Sequence, residues 1–192
     1  MVRRQFLFSL VGLGLAANQA CRNPAELPIV PVGGDFVLTG HEGRPFRLSS
    51  LQGKAVLLFF GYTSCPDACP TTLSKLSAVY RKLADDAKDV KTLYISVDPE
   101  RDTPAVLKAD LGNFSVDALG LTGTKLEIDK VVKLYGASYE IIPTPNSATK
   151  YTVAHSTTIY GLDRAGHTRA FFSYNATVDE ITNGLRSILA SK

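Results

Sequence analysis

Three side chains in this sequence could do chemistry together: Cys65 and Cys69, four residues apart, and His155, far downstream. The cysteines sit in Gly61-Tyr-Thr-Ser-Cys65-Pro-Asp-Ala-Cys69-Pro70. Two thiolates held this close can close a disulfide or hold a soft metal ion. A disulfide here would close so short a loop that it would remove little chain entropy from the unfolded state, so a purely structural role is a poor account of the pair. A proline follows each cysteine and disfavours the α conformation at Cys65 and Cys69 themselves. This predicts a tight turn from 65 to 69, with Pro70 at the first position of a helix. The helix amides and dipole then favour the thiolate of Cys69. His155 lies where a loop enters a strand, and taken alone it carries no ligand assignment. His41 and His167 fall in hairpin turns and read as surface residues.

The elements around these residues come from periodicity and caps. Ala55–Phe60 is an apolar run without a polar interruption, stopped by Gly61, and reads as a central strand buried on both faces. Pro70–Lys82 carries Leu73, Leu76, Val79 and Tyr80, with Leu83 next after it, at helical spacing. Val90–Val97 is a second strand. Thr103-Pro104 opens a helix with threonine as N-cap and proline at the first helical position. Leu119–Thr122 is a short strand before a helix over Lys125–Tyr135. A loop containing Pro143 and Pro145 leads to strands Ser156–Tyr160 and Thr168–Tyr174, joined by Asp163–Gly166. Thr177-Val-Asp-Glu180 is a capping-box sequence opening a last helix that ends near Leu189. Phe36–Thr39 and Pro45–Leu48 form an N-terminal β-hairpin around His41-Glu42-Gly43. The expected fold class is α/β and thioredoxin-like: a central mixed sheet flanked by helices on both faces, with that N-terminal hairpin.

The bulk composition fits one domain with a short appendage. The chain has 192 residues, 45% hydrophobic and 20% charged, with a formal net charge of +3. Its basic residues are scattered and not interleaved with aromatics, which argues against a nucleic-acid partner. Residues 1–20 have the layout of an export signal: Arg3 and Arg4, an apolar run from Phe6 to Ala17, then small residues. That run is shorter than the ~20 residues a spanning helix needs, so a removed signal is expected rather than an anchor. Arg3-Arg4-Gln-Phe-Leu is also compatible with twin-arginine export. Cys21 is the odd cysteine of three, and Ala20-Cys21 resembles the end of a lipoprotein cleavage box, although Asn18 departs from the usual leucine. Lipid on Cys21 would tie the protein to the membrane, with 21–34 as a Pro- and Gly-rich tether and 35–192 as the folded domain.

Four segments together carry a family resemblance: Asp35–Thr39, Gly53–Leu73, Ser96-Val-Asp-Pro-Glu-Arg-Asp-Thr-Pro104 and Val153-Ala-His-Ser156. They resemble the Sco/SenC family over residues 35–190. The resemblance implies a thioredoxin-like fold and copper delivery during assembly of cytochrome c oxidase, especially its dinuclear copper site. It implies Cys65, Cys69 and His155 as ligands of copper, as Cu(I) or Cu(II). Two sulfurs and an imidazole suit that metal. The implied partners are the copper-receiving oxidase subunit and a periplasmic thiol reductant, on the periplasmic side of a bacterial membrane. The family usually has aspartate before this histidine, where this chain has Ala154, which puts copper affinity rather than ligand identity in question. Asp98 is the carboxylate that could support the site from outside the ligand set; otherwise 98–104 is a loop and a helix cap.

A metallochaperone is thus expected rather than an enzyme. The competing reading is a thiol–disulfide oxidoreductase cycling Cys65 and Cys69, which would give a distant histidine no special part. A peroxiredoxin-like peroxidase is disfavoured, because Tyr62 and Leu58 occupy the places of that family's threonine and proline. Zinc would also accept two cysteines and a histidine, but export and the resemblance favour copper.

Overall fold

The structure is a computed structural model and describes residues 27–191. The expected export signal and Cys21 lie outside the described residues. The strands are β1 (Val37–Gly40), β2 (Pro45–Arg47), β3 (Ala55–Gly61), β4 (Val90–Ser96), β5 (Ala118–Thr122), β6 (Tyr139–Pro143), β7 (Tyr151–His155), β8 (Ile159–Leu162) and β9 (Thr168–Phe172). The longer helices are α1 (Ala68–Leu83), α2 (Pro104–Leu111), α3 (Lys125–Leu134) and α4 (Val178–Ala190). Seven strands form one sheet in the order β2-β1-β5-β4-β3-β8-β9, and β6 and β7 form a separate ribbon.

The sheet is mixed, as expected. β3 runs parallel to β4, and β4 to β5, while β8 pairs antiparallel with β3 and β9 with β8. Every residue of β3 is buried. Side chains alternate across a strand, so the one apolar run feeds two cores. Ala55, Leu57 and Phe59 pack with Leu73, Leu76 and Val79 of α1 and with Ile181, Leu185 and Ile188 of α4. Val56, Leu58 and Phe60 pack on the other face with Ile128, Val131 and Val132 of α3. This two-sided burial is what holds the end of β3, and the turn that follows it, in a fixed place.

The helix starts obey their caps. The Thr103 hydroxyl accepts from the Val106 amide with Pro104 inside the first turn, and Thr177 and Glu180 cap each other reciprocally. Two departures from the sequence reading concern the last strands. Residues 139–155, expected as a loop, form an antiparallel ribbon with Tyr139 opposite His155 and Pro143 opposite Tyr151. Pro143 closes an edge strand, where a missing amide removes no ladder bond. β8 spans 159–162 rather than 156–160, and it runs through Gly161. A Cβ at 161 would come within 2.9 Å of Ile188 Cδ1, so this glycine admits α4 to the sheet instead of ending the strand.

From Leu27 on, the expected tether is held against the domain. The Val30 amide donates to the Thr168 carbonyl at 2.8 Å, the Gly33 amide to Leu134 at 3.0 Å, and Arg169 to the Leu27 carbonyl at 2.6 Å. Among the described residues no helix is long and apolar enough to cross a membrane.

Candidate metal centre

The site is assembled at the carboxyl end of β3. There the chain turns through Tyr62–Asp67 into α1, and the Cys65 amide donates to the Tyr62 carbonyl at 3.1 Å. α1 begins at Ala68, two residues before the expected start, so Cys69 is in its first turn and Pro70 follows inside the helix. The first amides of a helix have no intrahelical acceptor, so a proline there removes no bond and the pre-proline preference is overridden. Cys69 is buried by the turn and by β3, whereas Cys65 is half-buried; both are free thiols.

The third residue arrives on the ribbon. His155 ends β7, and its Nε2 lies 3.6 Å from Cys69 Sγ. One ligand atom from each of Cys65, Cys69 and His155 lies within 4.8 Å of the others. Ligands at bond lengths of about 2.0–2.3 Å around one ion sit roughly 3.3–4 Å apart, so a single ion could reach all three after a small contraction. The ring is already oriented for this. Its Nδ1 is 3.0 Å from the Ser156 carbonyl, which can only accept, so Nδ1 carries the proton and Nε2 presents its lone pair to the sulfurs. The Tyr62 ring stands edge-on to the imidazole with centroids 5.7 Å apart, and the Tyr62 hydroxyl is 2.9 Å from Thr152 Oγ1 of β7.

This geometry answers the question raised by Ala154. Neighbouring side chains on a strand point to opposite faces. Ala154 is exposed, pairs with Glu140 across the ribbon, and faces away from the imidazole. A carboxylate there could not orient the His155 ring, and the Ser156 carbonyl does so instead.

The two thiols are unequal. Cys69 donating to Cys65 holds the Cys65 thiol down at about 4, against the opposing effect of burial. The same contact, with burial, pushes Cys69 far above the usual thiol range. The thiolate of the metal-free pair is therefore Cys65, not Cys69 as the helix dipole alone suggests. Burial and the like-charged neighbour outweigh the dipole.

Of the expected residues, the structure brings Cys65, Cys69 and His155 together and leaves Asp98 outside. Asp98 is 2% exposed, pairs with Arg101, and accepts from the Tyr151 hydroxyl at 2.8 Å. Arg101 in turn lies 3.8 Å over the Tyr151 ring and 5.6 Å from the Tyr62 ring. Asp98 thus braces the ribbon that carries His155, without touching a ligand. The residue that sequence reasoning missed is Asp102. It is fully buried and accepts from the Thr63 amide at 2.9 Å, Thr63 Oγ1 at 2.6 Å and Ser96 Oγ at 2.6 Å, tying the cysteine turn to the end of β4. Burial raises its carboxyl above the usual range despite those three donors. A second aspartate in one short loop was the available signal. His41 also departs from its reading as a surface residue: it is largely buried and accepts from the Gly120 amide at 3.2 Å.

The SCO1/SenC family model matches residues 25–190. A SCO2-like protein of Rickettsia prowazekii is 34% identical over 79% of this chain and 74% of its own length. Among solved structures, that of Bradyrhizobium japonicum ScoI with copper bound is 42% identical, with a TM-score of 0.75 over 82% of this chain and 99% of that one. BsSco, described with a disulfide switch and as a member of the Sco family of cytochrome c oxidase assembly proteins, is 25% identical with a TM-score of 0.67 over 86% of this chain and 98% of its own. With its thioredoxin-like sheet, its cysteine turn and its match over residues 25–190, this chain belongs to the SCO1/SenC family.

Proposed function

We propose that this protein binds one copper ion through Cys65, Cys69 and His155 and delivers it during assembly of the copper site of cytochrome c oxidase. The observation that carries the reading is the His155 ring, locked by Ser156 with Nε2 facing two free sulfurs. Disulfide exchange has no use for a third donor so arranged, whereas two soft sulfurs and an imidazole suit copper. The copper-bound relative and the description of BsSco support the same conclusion. The proposal extends to location: export with removal of residues 1–20, lipid on Cys21, and work on the periplasmic side of the membrane. There a thiol reductant keeps the pair open and an oxidase subunit receives the metal.

A second reading, thiol–disulfide exchange with a partner's cysteines, is favoured by one observation. The half-buried Cys65 is the thiolate and the buried Cys69 stands behind it, the division of labour an exchanging pair needs. One variant separates the two. His155→Ala should weaken copper binding at least ~10-fold, since losing even an outer partner of a ligand typically costs 10–100-fold. It should leave the dithiol potential against a glutathione buffer nearly unmoved. Retained copper affinity with a strongly shifted potential would replace the first reading with the second. Full-strength copper binding by the Cys65→Ser, Cys69→Ser double variant would remove the first altogether.

A further inference from the structure

Beneath the cysteine turn lies a polar group that nothing described so far employs. Tyr94, in the middle of β4, is fully buried, and its hydroxyl has no hydrogen-bond partner among the described residues. Native proteins rarely leave a buried hydroxyl unpaired, because its lost hydration goes uncompensated. Its ring is held by Phe59, edge-on at 5.1 Å between centroids. The hydroxyl borders the same small gap as the Cys69 sulfur. A Cβ placed on Gly61 would stand 2.6 Å from Cys69 Sγ and 2.9 Å from Tyr94 Oη, and only the absence of a side chain at 61 keeps the gap open.

A phenol is a hydrogen-bond donor across the physiological range. The sulfur of a neutral thiol, which still carries its proton, is a weak acceptor. Metal binding replaces that proton, because the thiolate is the ligand. The sulfur then carries negative charge in a dry setting, where a single donor counts for most.

We propose that the Tyr94 hydroxyl donates a hydrogen bond to Cys69 Sγ in the copper-loaded protein and tunes the site through that sulfur. This rests on the copper reading above. Tyr94 does not touch the ion. It leaves the empty site with an unpaired group and gives the loaded site a satisfied one, which adds to copper affinity. A hydrogen bond to a copper-bound thiolate also withdraws electron density from the sulfur and favours the cuprous state.

The test compares the reduced full chain with its Tyr94→Phe variant, which keeps the ring and its packing. Without metal, the variant should unfold at the same temperature as wild type or higher, because it loses a buried unpaired hydroxyl. Cu(I) binding, measured anaerobically by competition with a chelator, should weaken by about 10-fold. With Cu(II), the sulfur-to-copper charge-transfer band should move to longer wavelength, since a sulfur without its donor gives up an electron more readily. A residue with only a packing role would lower stability and affinity together and leave the band in place, and that result overturns the proposal. So does wild-type affinity with an unmoved band. A wild-type chain that takes up no copper removes the underlying reading and with it the proposal, and the wild-type arm shows this before the variant is compared.

Discussion

Gly61→Ala tests how the site is fitted into the sheet. Gly61 is the last residue of β3, opposite Ser96 in the parallel ladder. Its backbone needs no special conformation, so the requirement for glycine is steric. An added Cβ would meet Cys69 Sγ at 2.6 Å and Tyr94 Cε2 and Oη at 2.9 Å, whereas non-bonded heavy atoms prefer about 3.5–4.0 Å. Roughly 1 Å must therefore be found on one side or the other. If Tyr94 yields, it yields inside the core, and overpacking of this kind typically costs about 1–3 kcal/mol. If Cys69 yields, it changes rotamer, which swings the sulfur by about 3 Å and away from His155 Nε2. The first outcome lowers the unfolding midpoint in denaturant; the second lowers copper affinity at least ~10-fold, as losing a ligand should. Both can be measured on one preparation, by urea unfolding of the reduced metal-free protein and by chelator competition. A Gly61→Ala variant with wild-type midpoint and wild-type affinity would refute the reasoning, leaving Gly61 as no more than the end of a strand.

Three further outcomes follow from the same geometry. Oxidising Cys65 and Cys69 to a disulfide removes both thiolates, so the oxidised protein should take up no copper at the site; equal uptake by oxidised and reduced samples in a titration would place the ligands elsewhere. Asp102→Ala removes the acceptor of three hydrogen bonds in a fully buried setting and should lower unfolding stability by about 2–4 kcal/mol, read from denaturant midpoints, because unpaired buried donors cost about 1–3 kcal/mol each and part of that is recovered by relaxation. Asp163 sits in the β8–β9 turn; burial opposes its ionisation, but Arg169 and the His167 and Ala165 amides hold its carboxyl below the usual range. A depressed folded-state value stabilises above the unfolded value of about 3.9 and is lost as pH falls through the folded one, so Asp163→Asn should flatten the acid limb of the stability curve below about pH 4, while an unchanged limb would assign acid sensitivity to other carboxylates.

Much of this protein is legible without its tertiary structure, because the relevant physics is local. The unbroken apolar run of 55–60 can only be satisfied by burial on both faces, and β3 is buried throughout. Threonine caps with proline or glutamate in the first turn are short-range hydrogen-bond patterns, and the helices at 104 and 178 start where those patterns place them. The four-residue spacing of Cys65 and Cys69 after a strand is likewise local, and it marks the site. What only the fold decides is long-range. His155 stands 86 residues from Cys69, and its approach depends on a ribbon that, with Pro143 in one strand and Pro145 between the two, reads as a loop, because an exposed two-stranded element has little apolar periodicity to declare it. The strand register also turns Ala154 away from the ring and hands its orientation to a backbone carbonyl. Gly61 looks like a strand stop in one dimension and is a steric opening in three. The choice between Asp98 and Asp102, and the unpaired hydroxyl of Tyr94 under Cys69, arise from contacts between segments that share no sequence neighbourhood. No spacing rule reports them, because the distance that matters is across the fold.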